Sequence, residues 1–126
     1  MQDTSFPKKT ILLIEDDTFL LNMYREKFVN EGLHILTASD GDEGLEIALN
    51  QDVDMIVLDL MLPKLSGEDL LIRLRKKNKN IPVIVLTNLS REDQAEGFTL
   101  LGVKEYLVKA NLTPSQLVDK VKGYLI

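Results

Sequence analysis

Six polar residues of this chain stand directly after short apolar runs. Glu15, Asp16 and Asp17 follow Ile11-Leu12-Leu13-Ile14; Asp59 follows Met55 to Leu58; Thr87 follows Val83 to Leu86; Lys109 follows Glu105 to Val108. Carboxylates, a hydroxyl and an amine together suit one kind of chemistry, the holding of a divalent cation and the handling of a phosphoryl group. If folding gathers Glu15, Asp16 and Asp59, their charges repel, and each pair at ~4 Å costs roughly 4 kcal/mol at the effective dielectric of a protein surface. A cation relieves that repulsion. Hard oxygen ligands, with no His or Cys among them, select Mg²⁺ or Mn²⁺ over zinc. One such ion and the Lys109 ammonium would balance the three carboxylates. Asp59, positioned and metal-bound, is then a nucleophile toward phosphorus. The metal and Lys109 would stabilise the transferring oxygens, and Thr87 offers a hydroxyl donor.

Such a site requires the apolar runs to be neighbouring strands that end on one rim. Ile11 to Ile14, Met55 to Leu58 and Val83 to Leu86 are continuous and rich in Ile and Val, the pattern of parallel strands covered on both faces. Leu33 to Ala38 and Glu105 to Val108 are weaker strand candidates, expected nearer the edges. Helical segments lie between them. The first follows Asp17, spaces Leu20, Met23, Tyr24 and Phe28 along one face, and stops at Gly32. The second starts at Asp40-Gly41-Asp42-Glu43, the third near Ser66-Gly67, and the third ends in a basic stretch from Arg73 to Lys79. Ser90 caps a fourth that ends at Gly102, and Thr113-Pro114-Ser115-Gln116 opens a fifth. The alternation predicts an α/β fold: a single (βα)5 three-layer sandwich, doubly wound, with a parallel sheet in the flavodoxin-like order 2-1-3-4-5. In that 2-1-3-4-5 arrangement the strand order reverses between strands one and three, where ligands bind beyond the carboxyl ends. The expected division is a short tail over residues 1–9 and one domain over 10–126.

Composition narrows the classes further. A net charge of -5 opposes direct nucleic-acid binding and a polybasic membrane contact. The absence of cysteine removes disulfides, thiolate metal sites and thiol nucleophiles. No apolar run approaches the length of a membrane span, and residues 1–9 lack the apolar stretch of a signal peptide, so a cytoplasmic location is expected.

Taken together, these residues resemble the receiver domain of two-component signalling. The resemblance covers the chain after its first nine residues and rests on Glu15-Asp16, Asp59 with Pro63 and Gly67, Thr87, and Lys109. It implies that Asp59 accepts a phosphoryl group from a histidine kinase or phosphotransfer protein. It implies Mg²⁺ (or Mn²⁺) held by Asp16, Asp59 and the backbone carbonyl of Met61, with Glu15 acting mainly through water. Asp17 then caps the first helix. Thr87 and Tyr106 resemble the family's coupled switch pair, which alters the face made by the fourth helical segment, the fifth strand and the fifth helix. An unidentified downstream protein would read that face, with the chain a monomer or a phosphorylation-linked dimer. Two positions depart from the family pattern: Asn88 where a small residue is usual, and Ala110 after Lys109 where a cis proline is usual. Apolar Met61 and Leu89 are expected to flank the pocket and hinder an attacking water.

Several residues have plainer readings. Tyr106 suits a half-buried strand aromatic, the Arg73 to Lys79 cluster suits a solvated helix end, and Asp52 and Asp54 suit turns on the opposite rim. His34, the sole histidine, lacks a convergent partner in the pattern. Three other functions compete. A Mg²⁺-dependent phosphatase with an Asp nucleophile would want a second acid two residues on, where Met61 stands. A flavin protein of the same fold would be repelled by Glu15-Asp16-Asp17. A phosphorylation-independent pseudo-receiver would not need the full reactive set. No segment reads as an output module, which leaves open signalling by contact alone or membership of a longer protein.

Overall fold

The computed structural model describes residues 8–89, 97–98 and 101–125. Five strands, β1 (Thr10–Ile14), β2 (His34–Ala38), β3 (Met55–Leu58), β4 (Val83–Thr87) and β5 (Val103–Val108), form one sheet in the order β2-β1-β3-β4-β5. Every pairing is parallel. The described helices are α1 (Thr18–Asn30), α2 (Gly41–Asn50), α3 (Gly67–Lys76) and the C-terminal α4 (Pro114–Tyr124), with a single 3-10 turn at Lys109–Asn111.

Strand side chains alternate between faces, and the core divides accordingly. Leu12, Ile14, Ile56, Leu58, Val83 and Val85 pack with Ala48 of α2 and with Leu70, Leu71 and Leu74 of α3. Ile11, Leu13, Met55, Val57, Ile84 and Leu86 pack on the other face with Tyr24 and Phe28 of α1 and with Leu117, Val118 and Val121 of α4. The three-layer sandwich expected from the continuous apolar runs is therefore present.

The helix ends follow the sequence signals. Asp17 Oδ1 accepts from the Leu20 amide (3.1 Å), Asp40 Oδ1 from Glu43 (2.8 Å) and Ser66 Oγ from Asp69 (3.1 Å). Thr113 and Gln116 form a reciprocal capping box. At the end of α1, Gly32 takes φ 84°, so that its amide reaches Val29 O and the Leu33 amide reaches Phe28 O.

Two expected boundaries are adjusted. Thr87 is the last residue of β4 rather than the first beyond it. β5 begins at Val103, two residues before the expected Glu105, because the register slips between Val83/Ile84 and their partners; the extra residue, Lys104, breaks the alternation that marks a strand. The fourth helical segment, Ser90 to Gly102, falls mostly outside the described residues; Gly97 and Phe98 are helical. Among the described residues no peptide is cis, so Lys109–Ala110 is trans.

The basic end of α3 is also not uniformly solvated. Arg75 folds back into the sheet's amino edge, donating from Nε to Leu101 O (2.8 Å) and from Nη1 to Lys79 O (2.7 Å) and Ile81 O (2.9 Å). Asp54 stands on that same edge, accepting from the Thr10 amide at 2.8 Å, and exposed His34 lies on the edge strand β2.

Close approach explains the glycine that follows Asp59 and Pro63. A side-chain carbon on Gly67 would collide with the Asp59 carbonyl oxygen and sit 2.7 Å from the Leu60 Cα, both rigid backbone. Only glycine lets the start of α3 lie against the loop that carries Asp59. Gly67→Ala is expected to lower unfolding free energy by about 1–3 kcal/mol, the range for forced overpacking, in urea denaturation monitored by circular dichroism.

Candidate functional site

The carboxyl ends of β1, β3 and β5 converge on a cleft of about 310 Å³ lined by Glu15, Asp16, Asp17, Leu20, Asp59, Met61, Asn88 and Lys109. Backbone bonds fix the two inner acids. The Asp59 amide donates to Ile14 O (3.1 Å) and the Glu15 amide to Ala38 O (3.0 Å), which continues the sheet's pairing past the strand ends. Each acid is therefore delivered by a strand that cannot slide relative to its neighbour.

Lys109 occupies the centre. Its Nζ lies 2.8 Å from Asp59 Oδ2 and 2.5 Å from Glu15 Oε1, with its side chain 10% exposed. The remaining oxygens are also engaged: Asp59 Oδ1 accepts from the Met61 amide and Glu15 Oε2 from the Asp17 amide, both at 3.1 Å. Burial pushes the Glu15 carboxyl above its ordinary pKa, and Asp59's charge adds to that, while Lys109 and the Asp17 amide pull the other way. For Lys109 burial works against the charge, yet its bonds to Asp59 and Glu15 outweigh it and the ammonium is held above its ordinary value.

Asp16 completes the group from the exposed side. One oxygen from each of Glu15, Asp16 and Asp59 falls within 4.8 Å of the others. Three carboxylates against one ammonium leave a surplus of negative charge in a cleft open to solvent. Hard donors in that arrangement fit an oxygen-seeking divalent cation. The expected gathering of Glu15, Asp16, Asp59 and Lys109 is thus found in the structure, and Asp17 is accounted for by its cap on α1.

Thr87 is fully buried. Its Oγ1 accepts from the Leu89 amide (3.4 Å), which leaves its own proton to donate elsewhere. The Leu89 carbonyl in turn accepts from the Tyr106 hydroxyl at 3.4 Å. Tyr106 is buried, its ring centroid 5.7 Å from that of Phe98, and burial with the nearby Asp59 charge raises its phenol pKa. The backbone of Leu89 thereby joins Thr87 to Tyr106. No residue-type signal announces such a link, because peptide groups are the same everywhere.

One expectation fails here. Leu89 packs its side chain against the apolar cluster under β4 and does not line the cleft. Met61, 58% exposed, and Asn88 do border the cleft. Leu20, read from the sequence only as part of the helical spacing of α1, also forms one wall of the cleft.

Comparison with known proteins agrees with this geometry. A family model described as the response regulator receiver domain matches residues 11–122. The alkaline phosphatase synthesis transcriptional regulatory protein PhoP of Bacillus subtilis is 34% identical over 93% of this chain and 48% of its own length. The probable transcriptional regulatory protein TcrX of Mycobacterium tuberculosis is 39% identical over 79% of this chain and 43% of its own. The chain spans about half the length of these curated relatives. Among solved structures, the Francisella response regulator 1452 receiver domain superposes with a TM-score of 0.86 at 34% identity, covering 94% of this chain and 97% of that one. The CheX–CheY–BeF3–Mg complex from Borrelia burgdorferi gives 0.85 at 26% identity, covering 94% and 90%.

The Lys109 pairs make a stability prediction. Lys109→Met leaves two buried carboxylates facing each other without a counter-charge, and is expected to cost about 3–5 kcal/mol in urea denaturation. Adding Asp59→Asn should restore a large part of that loss, because it removes one of the two charges. Equal stability of the single and double variants would show that the pairs do not carry the site.

Proposed function

The chain belongs to the response regulator receiver family, and from that premise we propose that it is a phosphorylation-driven switch whose acceptor is Asp59. The observation that carries this reading is the Lys109 ammonium bridging Asp59 and Glu15 at the mouth of an acidic cleft. A carboxylate held this way is fixed in place, with Oδ2 on the ammonium and Oδ1 on the Met61 amide.

A carboxylate oxygen of Asp59 attacks the phosphorus of a phosphohistidine presented by a histidine kinase or phosphotransfer protein. An O–P bond forms and the P–N bond breaks; the imidazole nitrogen leaves with the electron pair and takes a proton from solvent. Lys109 follows the charge from the carboxylate onto the transferred oxygens, and Thr87 donates its hydroxyl to one of them. Glu15, Asp16, Asp59 and the Met61 carbonyl would hold Mg²⁺ (or Mn²⁺), which supplies further neutralisation of the transferring oxygens.

The output follows from the link through Leu89. Drawing the Thr87 hydroxyl toward a phosphoryl group shifts the peptide to which Tyr106 is bonded. That biases an existing equilibrium of the face around β5 and α4, where a downstream protein or a second copy would bind. Nearly complete switching needs ~5.5 kcal/mol of differential stabilisation. A cytoplasmic setting and no direct contact with nucleic acid by this segment belong to the same reading, in keeping with the net charge of -5. Repeated hydrolysis of outside substrates is not favoured, because Met61 stands where a phosphatase would place its general acid.

Incubation with acetyl phosphate and Mg²⁺ should add one phosphoryl group to the wild type by intact mass and none to Asp59→Ala. Equal modification of both proteins would overturn the assignment. Met61→Asn, which gives the lip of the cleft a group able to orient water, should shorten the lifetime of the phosphoryl group relative to wild type in a time course of the same mass measurement.

A further inference from the structure

A second cleft lies on the opposite rim of the sheet. It has a volume of about 430 Å³ and is lined by Arg75, Asn80, Pro82, Leu101, Gly102 and Lys104. Although the chain is acidic overall, the last turn of α3 and the residues just after it carry Arg73, Arg75, Lys76, Lys77 and Lys79, and Lys104 lines the cleft with Arg75. Among the described residues none of the six forms an ion pair. A helix dipole explains basic residues in the last turn of α3. It does not explain Lys104, which belongs to β5, nor the course of Arg75, which turns away from its own helix toward three carbonyls beyond it.

Those three carbonyls leave the guanidinium incomplete. Arginine carries five N–H donors in a planar fork. Nε and Nη1 supply the three bonds described, and the two N–H groups of Nη2 have no acceptor among the described residues. Nη2 lies beside Gly102, 3.5 Å from where a side-chain carbon on that residue would stand. Carbonyls hold the cation in place but carry no net charge, and burial alone moves its pKa, downward. Asp54, an acid of the same rim, is engaged with the Thr10 amide. Among the described residues the site is thus a preoriented cation with unpaired donors, in a cleft that Lys104, Asn80, Pro82 and Leu101 also line.

We propose that this cleft docks a carboxylate-bearing segment of a partner protein, with Arg75 Nη2 and Lys104 receiving the carboxylate and Pro82 and Leu101 receiving an adjacent apolar side chain. A planar fork matches a carboxylate in a bidentate arrangement. The apolar wall favours a peptide over a bare phosphate, and the overall negative charge of the chain disfavours a nucleic acid. The surface is independent of Asp59 chemistry, since it sits at the amino ends of β4 and β5, on the rim opposite the acids.

The probe is a blocked peptide of alternating leucine and glutamate, titrated while backbone amide resonances are followed by NMR. Saturable shifts centred on Asn80, Gly102 and Lys104 are expected, together with their loss when glutamine replaces glutamate in the peptide. Lys104→Glu should weaken binding by about tenfold or more, a change of about 1.4 kcal/mol, without altering modification by acetyl phosphate. Arg75→Lys, which keeps the charge and removes the fork, should weaken it as well, with thermal melting run alongside to show that the variant is folded. The absence of local shifts, shifts spread equally to Lys64 and Lys120, or equal responses to inorganic phosphate or a short DNA duplex would each overturn the proposal.

Discussion

The structure depends on one buried ammonium. Lys109 sits between two carboxylates that are themselves almost fully buried, and without it β1 and β3 would present like charges to each other across adjacent strand ends. Repulsion of that kind, roughly 4 kcal/mol at ~4 Å, is comparable to a large share of a small domain's net stability. Lys109 reduces this repulsion without abolishing it. Among the described residues Asp16 has no ion-pair partner, which leaves the cleft a surplus of negative charge on its solvent side.

A charge arrangement this tight needs a rigid frame. Parallel pairing supplies it, because the amides of Glu15 and Asp59 extend the ladder beyond β1 and β3. Behind them, Gly67 allows α3 to begin against the Asp59 carbonyl, and Gly41 likewise lies against the Leu65 carbonyl, where a side-chain carbon would collide. The acids are therefore held from below by the sheet and from the side by backbone packed on backbone. Asp59 cannot shift without disturbing the start of α3.

Both clefts show the same division of labour between charged side chains and neutral backbone. At the carboxyl rim the backbone N–H and C=O of Leu89, in two successive peptide groups, link the buried hydroxyl of Thr87 to the buried Tyr106. At the amino rim three carbonyls position the guanidinium of Arg75. In each case the backbone sets the direction in which a side chain can act, and the side chain supplies the chemistry.

How much of this was legible beforehand differs from residue to residue. The caps at Asp17, Asp40, Ser66 and Thr113 were readable because capping is local: donor and acceptor lie within one turn of each other in the chain. The buried strands β1, β3 and β4 were readable because burial on both faces demands an unbroken apolar run. Glu15, Asp16, Asp59 and Lys109 were readable as a group because each follows such a run, and a parallel sheet leaves one rim for all of them. What only the tertiary structure decided depends on contacts distant in sequence. The start of β5 was hidden by a bulge at Lys104 that suspends the two-residue period. The side chain of Leu89 went to the core instead of the cleft, and Arg75 left solvent for carbonyls up to 26 positions away. Residue type and spacing therefore determined which groups reach the rim. The choice of partner for each group, Lys109 bridging Glu15 and Asp59 above all, was decided by long-range packing, because a hydrogen bond depends on distances and directions that only the folded chain defines.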